Sequence, residues 1–478
     1  MCPFQLNRWC ALAAAVVCAT AAGAAVAPVA LPDPSVPEFH FPESEATLTR
    51  WITDMARGDD ATAARAFAAI HRHGWGLWTA LTAETAQSYE GQRLRVFETW
   101  LGLDELADSA GLSQPAAPPP EPAPRPALRQ LRPLRVREAD QDRDEDSGHD
   151  SLEPIANRAL GFVKFDPTAA THIVRQQLLR REALDTLLEA GATQVPPFPA
   201  TALAVKPVFQ IVRRADLMDG RYYALKAWSG PPSAAQPWAP PQWPACVWID
   251  LANGGGAGGA VDPLGLADGS TRTEETTYPL SSVLHFRLSA ADAAALNASR
   301  STPAVSAGDV ALLVAMHVSG REIARWTWQT FWWTPAPDAP PSPSSNAIAA
   351  LQPAELRGAA RHYAMTLAYT MLSPEQPYTG GTNAGPAVYA YNPWLEARLG
   401  PADLPGSQPG YAPDGRPAAN NVGVASNCMS CHAQANYNPH KRGTAPQPSG
   451  ARYVDLGAAQ FVGTLQVDFL WSIARHAR

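Results

Sequence analysis

Positive charge is thin in this chain. Lysine and arginine number 37 of 478 residues against 44 aspartates and glutamates, giving a formal net charge of −7, and neither basic residue forms a dense run. That excludes the electrostatic footprint of a nucleic-acid or anionic-lipid partner, which needs clustered cations. Long apolar runs are equally scarce. The one that stands out, Trp9 to Ala22 behind Arg8, is short, alanine-dominated and followed by Ala22-Gly23-Ala24. It reads as an export signal cleaved near Ala24 rather than as a membrane anchor. Cys18 follows Val17 where lipoprotein acylation needs a small residue, which disfavours acylation. The chain after cleavage is expected in the periplasm, with no transmembrane span.

Cysteine is scarce too. Of six, Cys2, Cys10 and Cys18 leave with the signal, and Cys246, Cys428 and Cys431 remain. Three thiols make no disulfide framework. They are better explained if two serve one chemical task and the third, Cys246 in Pro-Ala-Cys246-Val-Trp248-Ile-Asp250, packs as a small buried hydrophobe. Nor does any Ser-His-Asp arrangement, paired-carboxylate spacing or distal Arg-His pair stand out, which leaves hydrolysis and peroxidase work without sequence support.

What is present suggests an α+β chain in several parts. Residues 38–112 read as a helical lobe, with Leu48, Trp51, Ile52 and Met55 and later Leu94, Phe97, Trp100 and Leu101 at helical spacing. Gly74 and Gly76, beside His71 and His73, predict a turn between helices. No carboxylate or cysteine stands at ligand spacing beside those histidines, so core or surface roles are favoured over a metal site. Residues 113–151 run from Pro-Ala repeats into an acidic stretch and read as a disordered linker.

Residues 152–335 form a β-rich, sandwich-like part. Its strands are expected at 205–212, 222–228, 246–251, 283–288, 310–318 and 325–334, with a helix over Ala170 to Ala190 leading in. The aromatic run Trp326 to Trp333 suits a core stripe better than a ligand cleft. The Gly-rich stretch Asn253 to Gly259 lacks the lysine and following helix of a phosphate loop. After a Pro-Ser linker, residues 346–478 read as helix and coil, with helices expected at Ala354 to Met371 and at about Gly463 to Arg475.

The chemistry concentrates in Asn427-Cys428-Met429-Ser430-Cys431-His432. Two thiols three residues apart can add across both vinyl groups of a haem while the next imidazole reaches the iron, which is the attachment spacing of c-type haem. A structural zinc site would need two more ligands, and only Cys246 and scattered histidines remain. A thioredoxin-like pair would follow a strand, whereas coil precedes this motif. One covalent haem c is therefore expected, held by Cys428 and Cys431 with His432 on the iron, and export agrees with it.

The chain resembles a group of exported, largely uncharacterised bacterial mono-haem cytochrome c-like proteins. The likeness rests on His73-Gly74-Trp75-Gly76, Phe97-Glu98-Thr99-Trp100, Leu313-Val-Ala-Met316-His317-Val, the run Trp326 to Trp333, Asn392-Pro393-Trp394-Leu395-Glu396, the haem motif and Asp468-Phe469-Leu470-Trp471-Ser472-Ile473. It implies haem c and export, with a cytochrome c-like C-terminal lobe, and leaves the activity open.

The sixth iron ligand separates the functional alternatives, because Met or His there favours electron transfer and a vacancy favours ligand binding or peroxide chemistry. No methionine follows Cys431. Met365 on the expected 354–371 helix is the first candidate, with Met371, His317 and His440 behind it. The expected function is one-electron transfer with a periplasmic redox partner of unknown identity. A five-coordinate haem enzyme or a small-ligand-binding or sensing protein is the alternative.

Overall fold

A computed structural model of the protein describes residues 26–112, 159–263, 271–298, 304–406, 410–411, 417–418, 421–439 and 448–477. The export signal with its cleavage position, the linker 113–151 and His440 lie outside the described residues.

The fold is mixed α+β, as expected. Its centre is an eight-stranded antiparallel sheet of β1 (Leu101–Gly102), β2 (Ala159–Gly161), β3 (Lys164–Phe165), β4 (Leu203–Val212), β5 (His285–Arg287), β6 (Val310–Gly320), β7 (Thr327–Trp333) and β8 (Tyr363–Ala368). The main order is β8-β7-β6-β4-β3-β1, with β5 on β6 and β2 on β4. The long central strands are buried nearly end to end, polar Gln210 and Gln329 included and Lys206 and His317 half-buried, because both faces of the sheet are covered. A separate three-stranded sheet has Cys246–Asp250 in the middle, flanked by Tyr222–Lys226 and Thr277–Pro279, and Cys246 is fully buried there.

Helices α1 (Glu45–Arg57) and α2 (Asp60–Thr82) pack together, and α2 lies on one face of the sheet. Asp59 caps α2 by accepting from Thr62 N at 2.8 Å. The turn expected at Gly74 and Gly76 is absent: both lie inside α2. They are small because of what they touch. A Cβ on Gly74 would sit 2.8 Å from Met365 Sδ, and one on Gly76 would sit 2.1 Å from Phe39 Cδ2. Trp75 and Trp78 then reach Phe331, with Trp78 stacked on it at 4.4 Å between ring centres. His71 and His73 are core side chains. The first donates from Nδ1 to Phe67 O, and the second joins Tyr369 and Glu322 in a buried network.

Four further helix expectations need correction. Leu94, Phe97, Trp100 and Leu101 do not share a helix: Leu94 lies on strand Gln92–Arg95, which pairs with Glu84–Tyr89, Phe97 lies on a 3-10 turn, Val96–Thr99, and Leu101 lies on β1. The segment 170–190 is two helices, α3 (Pro167–Arg175) and α4 (Arg181–Glu189), separated by Gln177 in the left-handed region at φ 53°. The helix expected at Ala354 to Met371 is a short 3-10 turn, Gly358–His362, followed by strand β8. All six residues of β8 are buried, and such a short apolar run does not reveal its period. The C-terminal helix is only α6 (Trp471–His476). Leu465–Gln466 ahead of it is a strand paired with Asn436–Tyr437.

One hydrophobic core runs through these elements from Val36 to Ala477. Among the described residues no helix is long and apolar enough to cross a membrane.

Candidate functional site

Strand parity gives the sheet two different faces. Gln329, Phe331, Tyr363 and Met365 point towards α2. Trp328, Thr330, His317 and Lys206 share the opposite face, since Lys206 pairs with His317 and His317 with Thr330 across the strands. The cysteine motif packs against this second face.

Cys428 and Cys431 lie on α5 (Cys428–His432), a single turn that brings residues three apart to one side. Asn427 starts the turn by accepting from Ser430 N at 2.9 Å. Its amide nitrogen donates to Thr370 O and Val388 O, which fastens the turn to the chain after β8. Ser430 Oγ secures the other side through Arg452 O at 2.6 Å. Both cysteines are free and half-buried, and Cys428 Sγ lies 3.3 Å from Ala390 O. Burial and the nearby Glu396 carboxylate push the Cys431 thiol up to about 12 and Cys428 well above the ordinary thiol range. Cys246, on the separate sheet, is raised to about 11 mainly by burial.

His432 follows directly. Its ring packs on Trp328 with ring centres 4.1 Å apart. Nδ1 lies 2.8 Å from Phe469 O, and because a carbonyl only accepts, Nδ1 carries the proton and Nε2 keeps its lone pair. Nε2 has no hydrogen-bond partner among the described residues. Burial first, then the charges of His317 and Lys206, push His432 down to about 3, so the imidazole is neutral at ordinary pH.

The Phe469 carbonyl is aimed by unusual backbone. Asp468 and Phe469 both take left-handed φ, 46° and 66°. Such residues cost about 1–3 kcal/mol each and persist only where their surroundings hold them. Here Arg321 Nε meets both Asp468 carboxylate oxygens, at 3.2 and 3.0 Å, and Phe198 N donates to one of them at 2.9 Å.

A second histidine faces this site. His317 Nε2 lies 2.9 Å from Glu396 Oε1, and Asn392 N donates to Glu396 Oε2 at 2.7 Å. Burial alone would raise Glu396, but His317 holds it below the usual carboxylate range. Asn392 pins this loop to β7 through Thr330 Oγ1 and Phe331 O. Lys206, beside His317, is half-buried and has no hydrogen-bond partner among the described residues, and burial lowers its pKa.

Cys428, Cys431 and His432 stand together on one helical turn. Met365 does not join them: it is fully buried on the α2 face with Sδ against Gly74. Met371 is committed elsewhere, its Sδ accepting from Val454 N at 3.3 Å. Sequence reasoning missed Phe469 O, the Arg321–Asp468 pair and the His317–Glu396 pair. The segments Asp468-Phe469-Leu470-Trp471 and Asn392-Pro393-Trp394-Leu395-Glu396 were conspicuous, but their roles arise only from contacts across the fold.

No match was found. Family models, curated proteins and solved structures were compared with the chain, and none is similar to it.

The donor set fits a c-type haem. Two neighbouring free thiols, half-exposed and on one helical turn, stand beside a neutral imidazole whose Nδ1 is engaged and whose Nε2 is available. Among the described residues no group of three or more His, Cys, Asp or Glu is arranged to hold a bare metal ion.

Proposed function

We propose that the protein is an exported mono-haem c-type cytochrome that transfers one electron at a time to or from a periplasmic redox partner. Cys428 and Cys431 would hold the haem through thioethers, and His432 Nε2 would ligate its iron. Residues 346–478 would form the cytochrome c-like haem lobe, fixed onto the β-rich part 152–335 and the helical part 38–112. The observation that carries this proposal is the motif Cys428-x-x-Cys431-His432 with His432 Nδ1 committed to Phe469 O.

When bound, the haem supplies an iron that cycles between ferric and ferrous states. The chain's own residues do the rest. Phe469 O fixes the imidazole tautomer and raises its basicity as a ligand, the usual task of a group hydrogen-bonded to a coordinating histidine. Trp328 restrains the ring from the sheet side. Asn427 and Ser430 hold the turn so that both thiols stay on one side. Lys206 offers a half-buried amine with no other hydrogen-bond partner among the described residues, placed for an anionic group of the ligand.

The test is to export the full chain in a host that matures c-type cytochromes, denature it, and ask whether haem remains attached. One haem per chain is expected, lost when Cys428 and Cys431 are both replaced by alanine. A matured wild-type chain without denaturation-resistant haem, or a double variant that retains it, would overturn the proposal.

A further inference from the structure

The sixth position of the haem iron determines whether such a protein passes electrons or binds small ligands. Three observations bear on which residue fills it. The first is that the nearby methionines are spoken for. Met365 packs on Gly74 across the sheet from His432, Met371 Sδ accepts from Val454 N, and Met316 is fully buried on β6 with parity opposite to its neighbour His317.

The second is the placement of His317. It lies on the same sheet face as Trp328, the residue that packs on His432. Trp328 pairs with Ser319, and His317 is two residues before Ser319, so the two side chains are diagonal neighbours.

The third is the way His317 is held. With Nε2–H donated to Glu396, the lone pair is left on Nδ1, which has no hydrogen-bond partner among the described residues. Glu396 is itself oriented by Asn392 N, and Asn392 is tied to β7 by two bonds. A histidine donating one nitrogen to an anchored carboxylate and keeping the other free is the arrangement typical of metal-binding imidazoles.

We propose that His317 is the second protein ligand of the haem iron and that Glu396 is the positioning residue that orients it, an assignment that rests on the haem reading above. It deepens that reading, because two imidazoles close the iron to exogenous ligands and leave electron transfer as its task. Lys206, next to His317 across the strands, is the competing donor that the experiment must separate.

The experiment uses the matured full-length protein and reads absorption and electron paramagnetic resonance spectra with and without carbon monoxide. The wild type should be low-spin and indifferent to carbon monoxide. His317→Ala should convert it to a high-spin form that binds carbon monoxide, and added imidazole should restore the low-spin spectrum. Glu396→Gln should stay low-spin but shift the reduction potential upward, since a neutral partner makes the ligand less basic. Met365→Leu should leave the spectrum unchanged. If His317→Ala does not fold, the near-infrared charge-transfer band of the wild type still separates a second imidazole from a thioether or an amine. A high-spin wild type, a low-spin His317→Ala protein, or loss of the low-spin state in Lys206→Ala alone would each overturn the assignment. Absence of covalent haem in the wild type would instead overturn the cytochrome reading itself, and this assignment with it.

Discussion

Phe469 hands its backbone carbonyl to His432 Nδ1 at 2.8 Å, and it does so from a left-handed conformation that an aromatic residue adopts only under constraint. The constraint is the Arg321–Asp468 pair one residue upstream, which is largely buried. A short C-terminal loop thereby decides which nitrogen of the motif histidine is free.

Asp468→Ala should release that loop. It leaves Arg321 Nε and Phe198 N without their acceptor, and a loss of about 2–4 kcal/mol is expected from such partly buried, charge-assisted bonds. Urea unfolding of wild type and variant measures it. In the haem-loaded protein proposed above, the same change should broaden or shift the signals of His432. An unchanged midpoint together with unchanged haem signals would show that the loop is held by other contacts.

Gly76→Ala should destabilise the fold although alanine is the better helix former. The added Cβ would meet the Phe39 ring at 2.1 Å, and overpacking of this kind costs about 1–3 kcal/mol against a helix-propensity gain of about 1 kcal/mol. Thermal unfolding gives the sign directly.

Asn427→Ala removes the acceptor for Ser430 N and two donors, leaving Thr370 O and Val388 O unserved in a buried place. About 2–4 kcal/mol of stability should be lost. The yield of covalent haem should fall with it, because the turn that aligns both thiols loses its anchor. A normal haem yield in a destabilised variant would separate the two roles of this side chain.

Acid should weaken the protein through His71. Burial lowers its pKa from 6.5 to about 4 in the folded chain. Between those values the unfolded chain binds a proton that the folded chain does not, so stability falls as pH drops from 6.5 towards 4 and levels off below. The contribution is on the order of 3 kcal/mol. Comparing denaturation midpoints of wild type and His71→Gln at several pH values isolates it. The variant should show a shallower slope over that window, and an equal slope would assign the acid sensitivity to other groups.

How much of this was visible beforehand differs between elements. Strands β4, β6 and β7 stood out because β-branched and aromatic residues cluster there between Pro and Gly, and they occur close to the expected ranges. Strand β8 did not, because Tyr363-Ala-Met365-Thr-Leu-Ala is apolar on both faces and fits either period. That one misjudged element carried Met365 with it. On a helix its side chain could have turned towards the cysteine motif, whereas on β8 parity commits it to α2. Gly74 and Gly76 misled for a related reason: glycine in isolation signals a turn, and only the presence of Met365 and Phe39 shows that it was needed for close packing.

The amino-acid sequence by itself determined what depends on covalent spacing and composition. Two cysteines three residues apart with histidine next stay adjacent in any fold that keeps one helical turn, so the proximity of Cys428, Cys431 and His432 can be read along the chain. Only the tertiary structure decided which partners those residues meet. Phe469 is 37 positions from His432, and Glu396 is 79 from His317. Contacts of that range depend on the order and register of the sheet strands, whose parity sends Trp328 and His317 to one face and Met365 to the other.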